Sequence, residues 1–174
     1  MNIFKKLFGS ADKSDKTSEN KKPDLEKLLS SDDINDSIIE LDNYIGELCS
    51  YGDEIDKLTE QQKQFYYIQC LEREINNGGF NQYFFNSSGD FAEKTIHALR
   101  TIGANKTADI LQKAIAQFPN GHVPEDRTER QEILEHIQET ADPVWEELDK
   151  MFYTYEDDLN TLNIEFIRKN KDKF

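Results

Sequence analysis

The chain contains few cysteines, glycines and prolines and no long apolar run, and each shortage excludes a class of protein. Its 174 residues include two cysteines, Cys49 and Cys70, eight glycines and four prolines. Two cysteines cannot form a disulfide framework, and their spacing fits no metal motif, so we expect reduced, partly buried thiols. No segment approaches the roughly 20 apolar residues of a membrane span. These shortages argue against a disulfide-rich secreted scaffold and against stable membrane insertion, and they indicate a cytoplasmic protein.

Recognisable catalytic and metal-binding patterns are also missing. His97, His122 and His136 are scattered, and no two of them stand four residues apart. No Cys–His or Ser–His–Asp set can be proposed from the spacing of the residues. The acidic run at 156–158 lacks the alternating ligands and the central glycine of an EF-hand loop. We therefore predict no enzyme activity, no metal ligand and no cofactor.

Positive charge is scarce and unevenly placed. The net charge is −14, but residues 1–22 carry +3, and residues 168–174 carry another +3. Residues 23–167 hold 31 acidic residues against 11 basic ones. A surface this anionic repels nucleic acid and anionic membranes and attracts basic proteins. We therefore expect a basic protein partner and no direct nucleic-acid binding. On charge alone, acidity that merely keeps the protein soluble is the simpler explanation.

The N-terminal segment differs in composition from the rest of the chain. Residues 10–24 are rich in serine, aspartate and lysine and contain no apolar residue beyond Ala11, so they cannot bury enough surface to order themselves. Residues 1–9 are basic and apolar, but their apolar residues are too few for a signal-peptide core. We predict a flexible, basic and polar segment over residues 1–24, followed by an acidic helical domain over residues 25–174.

Apolar residues recur at helical spacing through the rest of the chain. Thr59 and Gln62 have the spacing of a capping box, and the short Gly103–Ala104 link is typical of an antiparallel helical hairpin. We predict an all-α, single-domain bundle of about six to seven helices. The predicted helices span about 32–50, 59–76, 89–102, 105–118 and 125–140, with two more after Asp142 that are separated near Tyr155.

The segment 71–90 is dense in both glycine and aromatic residues. Gly78 and Gly79 form a strong helix stop, because glycine reaches the left-handed conformation without a steric penalty. The aromatic residues that follow can pack together, and Ser87, Ser88 or Asp90 can cap the next helix. We interpret this segment as a structural corner between two helices. Its motif residues are Asn77, Gly78, Gly79, Phe80, Gln82, Phe84, Phe85 and Asn86.

Glu72 precedes this corner and falls between Phe65 and Ile68 on the helical wheel. A half-buried carboxylate needs a hydrogen-bond partner. We expect a structural hydrogen bond rather than a catalytic role, since no second titratable group stands at a supporting spacing.

Two helical faces are rich in carboxylates and are the predicted partner-binding surface. On the helix over 125–140, five glutamates cover one face over ~21 Å, and Arg127 and Arg130 interrupt their charge only partly. Neighbouring carboxylates stand about 5–6 Å apart, which is comparable to the phosphate repeat of nucleic acid. The first long helix carries a second acidic face. The predicted residues on the helix over 125–140 are Glu125, Glu129, Glu132, Glu135 and Glu139. Those on the first long helix are Asp36, Glu40 and Glu47.

Three stretches carry a resemblance to a known family: EINNGGFNQYFFNSSG at 74–89, TIHALRTIGA at 95–104 and LDKMFYTYEDDL at 148–159. Over roughly residues 35–168 the chain resembles the bacterial DNA-mimic protein family, through its C-terminal domain of unknown function. The resemblance implies an all-helical fold. It also implies an acidic surface that imitates DNA and sequesters a DNA-binding transcription factor. The motif itself marks the fold, because it does not encode the surface carboxylates.

Three hypotheses of function follow. The first is a non-enzymatic acidic protein-binding module, a DNA mimic that sequesters a basic DNA-binding protein. The second is an immunity or antitoxin-like protein that neutralises a toxin. The third is a small-ligand binder or enzyme with a pocket at the Asn-Gly-Gly-Phe corner.

Overall fold

The computed structural model describes residues 22–174, and this part of the chain folds into seven α-helices without a β-strand. The predicted all-α bundle of six to seven helices is therefore confirmed. Most of the predicted flexible segment lies outside the described residues, and the division of the chain after residue 24 stays a prediction. The helices are α1 (Leu25–Leu29), α2 (Ile34–Leu48), α3 (Glu60–Phe85), α4 (Ala92–Ile102), α5 (Asn105–Ile115), α6 (Arg127–Phe152) and α7 (Leu159–Lys169).

Helix α3 is the centre of the bundle and packs against α2, α4 and α6. It begins with the predicted capping box, in which the Thr59 hydroxyl accepts from the Gln62 amide and the Gln62 side chain accepts from the Thr59 amide. The predicted apolar stripe is buried, and its members are Phe65, Ile68, Leu71 and Ile75. Both cysteines are buried and free, as expected. Burial raises the pKa of the Cys70 thiol to about 11.

The helix stop predicted at Gly78 and Gly79 is a break within α3 rather than its end. Gly79 takes a φ of 72°, in the left-handed region, and the backbone of both glycines leaves the helical range. The chain then resumes a helical course to Phe85. This second helical piece is short, and it begins where the backbone amide of Phe80 donates to the Asp149 carboxylate. Asp149 of α6 thus satisfies a backbone amide at the start of this piece, as an N-cap side chain does, and the chain can re-form a helix immediately after the break.

Helices α4 and α5 form the predicted hairpin around Gly103, which has a φ of 89°. The expectation that Ser87, Ser88 or Asp90 caps α4 is wrong, because Phe91 holds the cap position without a side-chain hydrogen bond. A 3-10 turn over Ser87–Phe91 runs directly into the helix. Two of the expected caps are engaged elsewhere: Ser88 donates to Glu74, and Asp90 accepts from Arg130.

Helix α6 continues through Pro143, so the predicted boundary near residue 141 is wrong. A proline inside a helix removes one backbone hydrogen bond, and Pro143 lies on the exposed side of α6. Ala141 and Trp145, on either side of it, are buried and hold the helix against the core. The second predicted break is confirmed: Tyr155 adopts a left-handed φ of 47°, and Asp158 caps α7.

The C-terminal residues are anchored to the bundle. Phe174 is buried, and its ring packs against the Phe65 ring in a T-shaped arrangement, with the centroids 6.2 Å apart. Arg168 donates to the carbonyl of Leu29, and Lys171 forms an ion pair with Glu26. Part of the positive charge at this end of the chain is therefore used in contacts within the fold. Among residues 22–174, no helix is both long and apolar enough to cross a bilayer.

Candidate functional site

The acidic face of α6 is defined by side chains that point away from the core. Leu134, Trp145 and Leu148 line the buried side of the helix, and the Trp145 indole donates to the carbonyl of Ala114 on α5 at 3.0 Å. This packing fixes the rotation of α6 about its axis. The carboxylates therefore project into solvent on the opposite side. Four of the predicted glutamates are exposed on α6: Glu129, Glu132, Glu135 and Glu139.

Glu125 is the exception among the predicted residues of this face. It precedes α6, whose cap is Asp126 and whose first residue is Arg127. The Glu125 carboxylate forms an ion pair with Lys94 at 2.9 Å. Its charge is therefore partly neutralised, and the predicted row begins one turn later, at Glu129.

The continuity of α6 adds two glutamates that sequence reasoning missed. Glu146 and Glu147 are exposed; helical spacing places Glu146 on the same side as Glu135 and Glu139, while Glu147 is turned towards the side of Glu129. Glu147 is paired with Lys150 at 2.6 Å, whereas Glu146 has no ion-pair partner within residues 22–174. The signal was present in the sequence, because Leu134, Ala141 and Leu148 continue one apolar stripe across Pro143.

Arg130 does not interrupt this acidic face, contrary to the prediction. Its side chain is fully buried and makes five hydrogen bonds. Four go to backbone carbonyls and one goes to the Asp90 carboxylate at 2.5 Å. The guanidinium thus ties the start of α6 to the end of α3. The accepting carbonyls belong to Phe84 (2.6 Å), Pro124 (2.7 Å), Glu125 (3.1 Å) and Asn86 (2.9 Å).

The second predicted acidic face lies on another helix. Asp36, Glu40 and Glu47 are exposed on α2, which packs against α3 and α7, while α6 packs against α3 and α5. Helix α3 contacts both acidic helices, but the carboxylates of α2 and α6 do not form a single continuous row. The two faces are therefore separate candidate surfaces.

Glu74 holds together the two pieces of α3 around the glycine break. Its carboxylate accepts from Gln82 at 2.7 Å, from Asn86 at 2.8 Å and from the Ser88 hydroxyl at 3.1 Å. All three donors belong to the second piece or to the turn that follows. The motif residues Gln82 and Asn86 therefore bind the Glu74 carboxylate across the glycine break.

The aromatic residues of the corner form part of the core. Phe80, Tyr83 and Phe84 are fully buried, and the Phe84 ring lies 5.2 Å from the Trp145 ring and 4.9 Å from the Phe118 ring. Phe85 is the exception, since 49% of its surface is exposed. This packing favours a structural corner and argues against a ligand pocket at Asn-Gly-Gly-Phe. Asn77 and Gly78 lie on the surface.

Glu72 is half-buried, as predicted, but its carboxylate is only partly hydrogen-bonded. Its Oε2 atom is buried without a partner in the described part of the chain. Burial raises the pKa of its carboxyl group, and the nearby Tyr155 and Gln69 side chains offset this only in part. A single carboxyl beside a tyrosine and an amide is not a catalytic set of the kind used for acid–base chemistry.

No group of three or more potential ligands within residues 22–174 is arranged to hold a metal ion. The three histidines have separate surroundings, all of them exposed. His122 contacts Glu93 at 2.6 Å, and His136 contacts the carbonyl of Glu132. These contacts are local, and none of them joins a cluster of titratable groups.

The fold and the motif segment agree with the result of comparison with known families. A family model described as DMP19-like protein matches residues 56–170, about two thirds of the chain. The chain therefore belongs to the DMP19-like family, which is a family of DNA-mimic proteins. The match includes α3 to α7 and begins after α2, later than the sequence resemblance indicated. No curated protein and no solved structure matches the chain.

Proposed function

We propose that this protein is a non-enzymatic DNA mimic that binds a basic DNA-binding protein through the acidic face of α6. The observation that carries the proposal is a row of five exposed carboxylates on one rigid helix. None of the five has an ion-pair partner within residues 22–174, so their charge is available to another molecule. They belong to Glu129, Glu132, Glu135, Glu139 and Glu146.

The spacing of this row is of the same order as that of phosphates on DNA. From Glu129 to Glu146 the helix rises about 25 Å, at ~1.5 Å per residue. The five charges are therefore about 6 Å apart along the axis, against about 3.4 Å for successive phosphates of one DNA strand. The row has roughly half the linear charge density of one strand. Lysine and arginine side chains of a DNA-binding surface are long enough to adapt to this difference.

The family match supports α6 as the primary surface, since it includes α6 and leaves out α2. The α2 face, with Asp36, Glu40 and Glu47, is a second surface that can extend the contact. Both faces raise the rate at which a basic partner is captured, because a charged surface steers its approach. Salt screens such steering over about 10 Å at 0.1 M, so the binding should weaken steeply as salt rises.

The decisive experiment is competition with DNA. The immobilised protein is loaded with partners from a lysate of its source at low salt, and random-sequence duplex DNA is then added. We expect the DNA to release the captured proteins, because both ligands occupy the same basic surface of the partner. Captured proteins that remain bound, and that do not bind DNA in a separate assay, would contradict mimicry. They would support the alternative in which the partner is a toxin.

Two matched variants locate the surface. One carries Glu132→Gln, Glu135→Gln and Glu139→Gln on α6, and the other carries Asp36→Asn, Glu40→Gln and Glu47→Gln on α2. Each removes three charges from exposed positions, so bulk charge is changed equally. We expect the α6 variant to lose about tenfold or more in affinity, since three lost charge contacts of about 0.4–1 kcal/mol each sum to about 1.2–3 kcal/mol. Equal losses in both variants would show that only net charge matters.

A further inference from the structure

A cleft of about 410 Å³ lies between α2, α3 and the turns that follow each of them. Its walls come from three separated parts of the chain, over 42–53, 66–74 and 87–91. The volume falls within the range of small-molecule sites, about 300–1,000 Å³. The cleft is distinct from the exposed face of α6, none of whose glutamates lines it.

The charged groups of the cleft leave it negative. Four carboxylates line it, and Arg73 is the one basic residue among the lining side chains. Arg73 pairs with Asp42 at 2.7 Å, and Asp90 is paired with the buried Arg130. The remaining two carboxylates, those of Glu74 and Asp53, have no ion-pair partner in residues 22–174. Glu74 accepts hydrogen bonds from neutral donors only, although Arg73 lies near enough to interact with it electrostatically.

The Asp42 carboxylate is incompletely satisfied. Its Oδ2 atom accepts from Arg73, while its Oδ1 atom is buried and has no hydrogen-bond partner within the described residues. Buried acceptors in folded proteins are normally paired with a protein group or with an ordered molecule. Because this atom is buried, Asp42 offers no acceptor to a ligand in the cleft, and its pairing with Arg73 offsets its charge there.

Aromatic rings complete the walls and the mouth of the cleft. Tyr66 and Phe91 line it, and Tyr51 stands at the surface with 65% of its area exposed. Tyr51 is placed there by a turn in which Ser50, Tyr51 and Gly52 all have positive φ values, of 51°, 55° and 108°. Its ring lies over Gly46, where a Cβ atom would stand 3.1 Å from it. Aromatic faces attract cations within about 6 Å, in addition to providing apolar contact.

We propose that this cleft binds an ammonium or guanidinium group carried on a short apolar stem. Asp53 and Glu74, which form no ion pair within residues 22–174, supply negative charge, and the Tyr51 and Phe91 rings contact the stem. The same chemistry has two sources: a free amine such as a diamine, or a lysine or arginine side chain of a bound protein. The proposal stands apart from the proposed DNA mimicry, because it concerns a different surface and a different probe.

Titration of the full-length protein with agmatine, followed by amide NMR shifts, tests the proposal. Agmatine carries a guanidinium and an ammonium group on a four-carbon stem. We expect saturable shifts at Tyr51, Gly52 and Asp53, with no saturable shift along α6. Butane-1,4-diol and succinate, which match the stem but are neutral or anionic, should produce no saturation. Unsaturable shifts spread over all acidic surfaces would overturn the proposal, since they would indicate counterion binding alone.

Two variants and a matched control sharpen the test. Asp53→Asn and Tyr51→Gly should each weaken agmatine binding, the former by about tenfold, as expected for the loss of a hydrogen bond to a charged group. Tyr51→Gly is expected to fold, because glycine accepts a positive φ. Glu132→Gln removes the same charge from α6 and should leave agmatine binding unchanged. Equal weakening by Glu132→Gln and Asp53→Asn would overturn the proposal.

The source of the cationic group is decided by a second probe, the capped tripeptide acetyl-Gly-Arg-Gly-amide. Saturable shifts at Tyr51 with this peptide would assign the cleft to an arginine side chain of a protein. Saturation by agmatine without saturation by the peptide would assign it to a free amine. If neither probe saturates the cleft, the proposal is wrong, whatever the result of the DNA competition.

Discussion

The Asp149 carboxylate accepts a hydrogen bond from the backbone amide of Phe80 at 2.9 Å and fills the space beside Gly79. A Cβ atom on Gly79 would overlap this carboxylate, and the φ of 72° at Gly79 already disfavours any other residue. The glycine break in α3 and the central part of α6 therefore fit together as a pair. Two turns before Asp149 along the same side of α6, the Asp142 carboxylate accepts from the Asn81 side chain at 2.8 Å.

Gly79→Ala should destabilise the protein by about 2.5–5 kcal/mol. This is the sum of left-handed backbone strain, about 1–2 kcal/mol, and the loss of a hydrogen bond to a charged group, about 1.5–3 kcal/mol. Urea unfolding followed by circular dichroism measures the difference. Gly103→Ala is the matched control, because Gly103 also has a positive φ but no atom lies within 4 Å of its added Cβ. Equal losses for the two variants would show that the Asp149 contact contributes nothing.

Arg130→Met should cost about 3–5 kcal/mol, the range for removing one partner of a buried charge pair. The substitution leaves Asp90 without its cation and leaves four backbone carbonyls without their donor. Arg130→Lys should not restore stability, because an ammonium cannot reproduce the planar fork of donors. Arg127→Met, at an exposed position, should change stability by less than about 0.5 kcal/mol. A loss below ~1 kcal/mol for Arg130→Met would contradict the structural role.

Glu72 should make the folded protein less stable at neutral pH than at mildly acidic pH. Burial raises the pKa of Glu72 in the folded state, so the folded state holds its proton at pH values where the unfolded chain has lost it. Stability linked to this group is therefore fully present below the pKa of the unfolded chain and is lost as the pH rises through the higher pKa of the folded state. Glu72→Gln should stabilise the protein at pH 7 by about 1 kcal/mol.

The control for that prediction is Glu40→Gln, which changes an exposed glutamate of α2. The stability difference between Glu72→Gln and the wild type should shrink as the pH falls towards the ordinary glutamate range, about 4–5. Glu40→Gln should show no comparable difference. Thermal unfolding of the three proteins at several pH values measures this. A difference that is constant with pH would show that protonation of Glu72 is not the cause.

Helical periodicity predicted most of the fold, because buried apolar faces repeat along each helix. It failed at Pro143, where a proline normally ends a helix, and the tertiary packing of Ala141 and Trp145 outweighs the local preference. Arg130 was counted among the charges that partly interrupt the acidic face, although this arginine is fully buried. Its position on the same helical side as Leu134 and Leu148 was the available signal. The cleft could not be predicted, since its walls come from segments that only the fold brings together.

The extent of the acidic row gives a final prediction about partner binding. If α6 is the binding surface, Glu146→Gln should weaken partner binding as much as Glu135→Gln does, about two- to fivefold each, for a loss of ~0.4–1 kcal/mol. Glu125→Gln should have a smaller effect, because Glu125 stands before the helix and is paired with Lys94. Affinity measured by surface plasmon resonance at low and high salt tests all three variants. A strong effect of Glu125→Gln with none for Glu146→Gln would move the surface towards the N-terminal end of α6.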